Sequence, residues 1–327
     1  MDNGNGWHGI LVHLEWDGNN LAKISKELIS EAYRLSKQYE QPIYGVAVGK
    51  GTSKIKDDVK SLPVKSVFLY ETDKPFQADL YEKAVCDCIH KIKPSVVLIG
   101  GTNEGRALAP RIAVTFRTGL TADCTELEMT SKGELVQIRP AFGGNIMARI
   151  VTEKTRPQMA TVRPNVMELI NETFSFPIQF HEMTMPEYKS QIQVTQMWHL
   201  KEEGGISSQN ILVVAGRGMK KREDLNMLRE LAKVLGGGLA SSRALVEKGW
   251  MNAAQQIGLS GQTVKPEYMI TCGVSGTIQF VSGMRQTKHI IAINTDPDAE
   301  ILKIAHYPIC ADLYEAVPEL IKLQKKR

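Results

Sequence analysis

The stretch "ITCGVSGTIQF" (residues 270–280) decides the reading of this chain. A short apolar run meets two closely spaced glycines and then turns toward helical spacing. In an open parallel sheet, ligands bind at the carboxyl ends of strands, and a strand ending in small and hydroxyl-bearing residues fits that edge. A helix starting at Ser275 or Gly276 would aim unpaired backbone N–H groups outward, which suits a phosphate. Gly273 and Gly276 let backbone approach closely, and the Ser275 and Thr277 hydroxyls add hydrogen bonds. A pyrophosphate is the expected guest. Alone, "GVSG" is neither the GxGxxG fingerprint nor a Walker loop, and a plain tight turn fits it as well.

Working outward, other strand ends of the second half carry the same texture: "AGRG" (215–218), "ASSR" (240–243), "GLSGQT" (258–263) and "AINTD" (292–296). Arg217 and Arg243 each follow a strand-like segment and are expected on one edge, where two arginines indicate an anionic ligand. The competing reading is two surface arginines paired with nearby acids. The strands themselves are "NILVVAGRG" (210–218), "EYMITCGVS" (267–275) and "HIIAIN" (289–294), with helices over 223–238 and 312–324. Leu225, Leu228, Leu231, Ala232 and Leu235 share one helical face, and Gly236 is a ready C-terminal stop.

The first half has its own α/β rhythm. "GILVHLE" (9–15), "IYGVAVG" (43–49), "SVFLY" (66–70) and "SVVLIGG" (95–101) read as strands. Leu21, Ile24, Leu28, Ala32 and Leu35 repeat at helical steps, and "QADLYEKAVCDCIHKI" (77–92) supplies another helix. Residues 120–165 change to alternating Thr, Val, Ile and Arg around a "SKGE" turn, so a more antiparallel region is expected there. Residues 176–209 carry prolines, few helical repeats and a polar glycine-containing end, and read as an irregular crossover. The expected fold is α/β, with two domains, each a mainly parallel sheet flanked by helices. The boundary is set near residue 205, giving domains 1–205 and 206–327, the second Rossmann-like.

With 327 residues, 43% hydrophobic and 23% charged, the chain has the composition of an ordinary globular protein. A net charge of +4 with scattered lysines and arginines argues against a nucleic-acid partner. No run of about 18 apolar residues exists to span a bilayer. The opening "MDNGNGWHGILVHLEW" shows neither secretory nor transit patterning, and the five dispersed cysteines read as reduced thiols, so a cytoplasmic chain is expected. The seven histidines show no metal spacing.

"VVAGRGMK" (213–220), "ASSRALVEKGW" (240–250), "IGLSGQTVKPEYMITCGVSGTIQFVSGM" (257–284), "IIAINTDPDAEIL" (290–302) and "ADLYEAVPEL" (311–320) follow in the order and spacing of a known family. Together with "GGTNEGRALAPRIAVTFRTGLTADCTEL" (100–127) and "RPAFGGNIMARI" (139–150), the chain resembles the electron-transfer flavoprotein alpha subunit over nearly its whole length. The resemblance implies FAD as cofactor and a beta subunit as partner. It implies exchange of electrons with a flavin dehydrogenase of the acyl-CoA dehydrogenase type, the chain being a carrier subunit, not a stand-alone enzyme. It further implies that Arg217 and Ser242 line the cofactor and that Arg243 lies against the isoalloxazine ring. Ser260, Gly261, Gln262 and Thr263 would approach the flavin's reactive edge. Ser275, Gly276, Thr277, Ile278 and Gln279 would wrap the pyrophosphate and reach the pyrimidine end, and Asn294, Asp312 and Leu313 would surround the adenosine. A hinge over 200–208, including Gly204 and Gly205, is implied as well.

Phe280 departs from the family, which commonly has histidine at this step. Phenylalanine has no hydrogen-bond donor for the ring's pyrimidine carbonyl. Either the ring packs there and another donor or Arg243 compensates, or the one-electron-reduced state is less stable. A cation about 5 Å from an anionic reduced flavin, at an effective dielectric near 20, favours reduction by roughly 3 kcal/mol. That is on the order of 60 mV for a two-electron couple.

Three alternatives stand beside the carrier. One is a subunit of a bifurcating, NADH-dependent complex coupling acyl-CoA reduction to ferredoxin reduction. The others, of another class, are a flavin-free scaffold and an NAD-binding subunit. In the first half, "VVLIGGTNEGRALAPRIA" (96–113) could hold a nucleotide, but the resemblance implies a scaffold facing the beta subunit.

Overall fold

The computed structural model describes residues 6–16, 20–37, 39–141, 146–175, 177–197 and 205–325. The chain divides into two compact units, Met1–Pro140 with Met147–Trp198, and Ala141–Ile146 with His199–Arg327. Most of the expected hinge over 200–208, Gly204 included, lies outside the described residues.

The first unit alternates strand and helix: β1 (Ile10–His13), α1 (Lys23–Ser36), β2 (Ile43–Gly49), α2 (Ile55–Val59), β3 (Ser66–Glu71), α3 (Ala78–Ile92), β4 (Val96–Gly100), α4 (Asn103–Thr115) and β5 (Leu120–Cys124). After them come β6 (Glu126–Met129), β7 (Leu135–Ala141), β8 (Ile146–Val151), β9 (Gln158–Val162) and β10 (Gln179–Met183). Seven strands form one sheet in the order β10-β3-β2-β1-β4-β9-β5, every pairing parallel. Ile10, Val12 and Leu14 pack with α1 and α2 on one face, while Leu11, Val97 and Ile99 pack with α3 and α4 on the other. Burial on both faces explains why these strands read as continuous apolar runs.

The antiparallel texture belongs to β6 and β7, which join across the "SKGE" turn in a separate three-stranded sheet with β8. β5 and β9, inside the same 120–165 stretch, instead extend the parallel sheet. The irregular reading of 176–209 is corrected by β10, which pairs with β3 as a parallel edge strand. Its residues are half-buried or exposed, so no apolar run announces it.

The second unit contains β11 (Ile211–Ala215), α5 (Leu225–Val234), β12 (Gly238–Ser241), α6 (Arg243–Glu247), β13 (Tyr268–Cys272), α7 (Ile278–Val281), β14 (His289–Asn294), α8 (Glu300–Ile304), β15 (Tyr307–Cys310) and α9 (Leu313–Lys325). Its strands are all parallel in the order β12-β11-β13-β14-β15. Numbered within the unit this is 2-1-3-4-5, a doubly wound variant whose switch point lies between β11 and β13. α5 and α9 pack on one face with Val213, Ile270 and Cys272; α7 and α8 cover the other with Leu212, Val214 and Met269. β15 carries Pro308 and sits at the sheet edge, where the missing N–H is tolerated. That proline hid the strand from periodicity.

Candidate functional site

The carboxyl ends of β11 and β13 converge at the switch point, and their loops touch backbone to backbone. The Gly216 N–H donates to the Cys272 carbonyl at 2.9 Å, and the Gly218 N–H to the Gly273 carbonyl at 3.0 Å. A Cβ on Gly216 would lie 2.1 Å from the Gly273 oxygen. Gly273 itself has φ +65° and its Cβ would meet the Gly218 Cα at 2.9 Å. These glycines let the two loops close on each other.

Two clefts open above this contact. The larger, about 440 Å³, is lined by Arg217, Ser242, Arg243, Ser260, Ser275, Thr277, Gln279 and Phe280 among others. The smaller, about 310 Å³, is lined by Arg217, Lys220, Ser275, Asn294, Asp312 and Leu313 among others. Arg217 and Ser275 border both, so the site has two arms meeting at one guanidinium and one hydroxyl. That guanidinium is exposed, and no ion pair holds it among the described residues.

The remaining site geometry is a set of local supports. Ser242 precedes α6 and is anchored by its N–H to the Ala215 carbonyl, 3.0 Å. Arg243, 67% exposed, donates from Nε to Glu247 Oε1 at 2.7 Å one helical turn on. Gln256 donates from Nε2 to Ser260 Oγ, 2.9 Å, and the Leu259 N–H reaches the Gln279 carbonyl at 2.7 Å, tying the 256–263 loop to α7. Asn294 Nδ2 donates to the Val274 carbonyl, 2.7 Å, while its Oδ1 accepts from the Asp296 N–H. Lys220 lies 3.7 Å from Asp312 Oδ2 and over the Tyr314 ring.

Several expectations change. The helix after the 273–277 turn starts at Ile278, not at Ser275 or Gly276, and lasts one turn. It therefore brings no long-helix dipole; hydroxyls, loop backbone and Arg217 must do that work. Gly276 turns toward the backbone of Ile301, where its Cβ would sit 2.3 Å from the nitrogen. Gly261, Gln262, Thr263, Gly276 and Ile278 border neither cleft. Gln262 instead donates to the Ala254 carbonyl at 2.7 Å. Phe280 is 5% exposed and packs with Val274, Ile257 and Met284 while touching the larger cleft. Sequence reasoning passed over Gln256, Val274, Lys220 and Asp296. Lys220 stood in plain view in "AGRGMK", three residues past an arginine already singled out.

Comparison with known proteins gives the family of the chain. Residues 10–189 match the electron transfer flavoprotein domain, and residues 205–285 match the electron transfer flavoprotein FAD-binding domain. This chain belongs to the electron transfer flavoprotein alpha-subunit family. Its cofactor is FAD, and electron transfer is its function.

Among relatives, the lactate dehydrogenase (NAD(+),ferredoxin) subunit LctC of Acetobacterium woodii is 43% identical over 326 residues, covering 97% of this chain and 77% of that one. Protein FixB of Clostridium saccharobutylicum is 39% identical, with 98% and 97% covered. The electron transfer flavoprotein subunit alpha of Clostridium acetobutylicum is 38% identical, with 96% of each covered.

In this alpha subunit the shape of the site fits FAD. A dinucleotide needs two arms joined at a pyrophosphate, and the two clefts meet where Arg217 and Ser275 offer a cation and a hydroxyl. The match to the FAD-binding domain ends at 285; Asn294, Asp312 and Leu313 lie beyond it and line the smaller cleft. Among the described residues no helix is long and apolar enough to cross a membrane. Burial pushes the Cys86, Cys124 and Cys272 thiols up to about 12, which keeps them protonated at neutral pH.

Proposed function

We propose that this chain is the alpha subunit of a heterodimer in which the carboxyl edge of the C-terminal sheet holds FAD. Its electrons pass to or from a partner flavin dehydrogenase of the acyl-CoA dehydrogenase type. The observation that carries the proposal is the shared border of the two clefts at Arg217 and Ser275. FAD supplies the electron chemistry; the chain binds, orients and biases it.

In this reading Arg217 neutralises the pyrophosphate with a planar, multi-donor cation, and Ser275 donates a hydroxyl. The larger cleft takes the flavin arm, with Ser242, Ser260, Thr277 and Gln279 as polar contacts and Phe280 as an apolar floor. The smaller takes the adenosine arm against Asn294, Asp312 and Leu313. Arg243 faces the flavin arm and favours the more anionic, reduced form. Because it is exposed and shared with Glu247, solvent and the carboxylate weaken that bias below the estimate for a lone cation.

A second reading is favoured by one observation. The 43% identical relative is named as a subunit of an NAD(+)- and ferredoxin-linked lactate dehydrogenase. By that likeness, the heterodimer would carry a second flavin and couple NADH to two acceptors. Co-purifying the chain with its beta subunit, counting FAD per heterodimer and adding NADH tests both. One FAD that NADH leaves oxidised supports the simple carrier. Two FAD with reduction by NADH support the coupled complex. A colourless heterodimer that takes up no FAD would reject both in favour of a flavin-free subunit.

A further inference from the structure

The ion pair on α6 points to a positioning residue outside the cleft. Arg243 and Glu247 are the first and last residues of this five-residue helix, and an i,i+4 spacing sets their side chains one above the other. Glu247 Oε1 accepts from Arg243 Nε at 2.7 Å. Arg243 borders the larger cleft and Glu247 does not. A carboxylate on Nε leaves the two Nη amino groups as the donors that can turn to a ligand. Beneath α6, Leu245 is fully buried in the core. Lys248 sits over the Trp250 ring. Among the described residues, then, Glu247 is the one ionic partner of Arg243.

We propose that Glu247 is a built-in counter-charge that holds the Arg243 guanidinium and limits how strongly it favours reduced FAD. The inference rests on the placement of the flavin arm beside Arg243. An exposed i,i+4 pair contributes little to stability, so the value of the carboxylate lies in its effect on the cation. With Glu247 charged, a bound anionic ring shares the guanidinium with a second anion. With the charge removed and the acceptor oxygen kept, the ring has the cation to itself. With Arg243 removed, the carboxylate loses its anchor and turns into water, where screening hides it.

The test compares the affinity of oxidised and of reduced FAD for the wild-type heterodimer and its variants. Glu247→Gln should tighten reduced FAD relative to oxidised FAD by about two- to fivefold, the order of one partly solvated charge a few ångström beyond the guanidinium. Glu247→Asp, which keeps the charge, should restore the wild-type ratio. In an Arg243→Ala background, Glu247→Gln should leave the ratio where Arg243→Ala put it. An unchanged or lowered ratio in Glu247→Gln would overturn the inference, as would the same rise without Arg243. Thermal unfolding of the variants should match wild type, which separates this outcome from misfolding. If Arg217→Ala and Arg243→Ala together leave both FAD affinities untouched, the cofactor is elsewhere, and the site reading fails along with the inference.

Discussion

The two parallel sheets end in similar sequence, a strand followed by glycines and a hydroxyl residue, yet their carboxyl edges differ. At the β11/β13 switch the glycines serve loop-to-loop contact, and two clefts open above the Arg217 guanidinium, which is in no ion pair among the described residues although Asp296 and Asp312 line the smaller cleft with it. At the β1/β4 switch the equivalent place is filled from within. Glu15 lies there, its Oε1 accepting from the Thr102 hydroxyl at 2.9 Å. Thr102 in turn accepts from the Gly105 N–H at the start of α4. A Cβ on Gly100 would sit 2.7 Å from Glu15 Oε1. Burial raises the Glu15 carboxyl to about 7, opposed by the Thr102 hydrogen bond and aided by Glu104. A phosphate would meet carboxylates in this place. The same topology thus leaves one edge open around an unpaired guanidinium and the other filled by a carboxylate folded back onto it.

The contrast can be attacked from both ends. The largest effect is expected from Gly216→Ala, whose Cβ would collide with the fixed backbone of Gly273. Urea unfolding should show a loss of about 3 kcal/mol, with FAD released. Gly100→Ala meets side chains instead of backbone, Glu15 Oε1 at 2.7 Å and the buried Ile24 Cγ1 at 2.9 Å, which can shift, so about 1 kcal/mol is expected and FAD should stay bound.

Glu15→Gln comes between these two. In the folded chain this carboxyl titrates near 7, against an ordinary value of 4.5. The folded state therefore keeps a proton that the unfolded chain releases between those values. Its stability contribution is full below about pH 4.5 and is lost as the pH rises through 7. The glutamine keeps an acceptor for Thr102 and has no proton to lose. At pH 8 the variant should be more stable than wild type by on the order of 2 kcal/mol, and the gap should narrow toward pH 5. His13, held near 4 by burial, is present in both proteins and cancels in the comparison.

The smallest effect is expected from Arg243→Ala. A midpoint potential lowered by about 30 mV fits an exposed, acid-paired cation, half the value for a lone one. Redox titration checks it, and an unchanged potential would remove Arg243 from the flavin arm.

Much of this was legible in residues. "IYGVAVG" is β2 to the residue, because a strand buried on both faces must be a continuous apolar run. The pairing of Arg217 and Arg243 on one cleft followed from their places after strands, since parallel strands bring those ends together. What escaped had physical reasons. β10 and β15 lie at sheet edges, where burial no longer dictates composition. The helix after β13 starts at Ile278, later than the sequence suggests, because hydroxyls and glycines suit an extended loop and a helix N-terminus equally. The filling of the β1/β4 switch by Glu15 could not be read at all. It depends on one side chain folding back 87 residues from its partner Thr102.

The most direct measurement sets the two edges against each other. FAD is titrated into the wild-type heterodimer, Arg217→Ala and Glu15→Gln, with affinity read from flavin fluorescence. Arg217→Ala should weaken binding by about 100-fold, the loss of a charge-assisted contact of some 2–3 kcal/mol, while Glu15→Gln should bind as wild type does. Tight binding that survives Arg217→Ala but collapses in Glu15→Gln would put the cofactor on the other sheet and contradict the assignment.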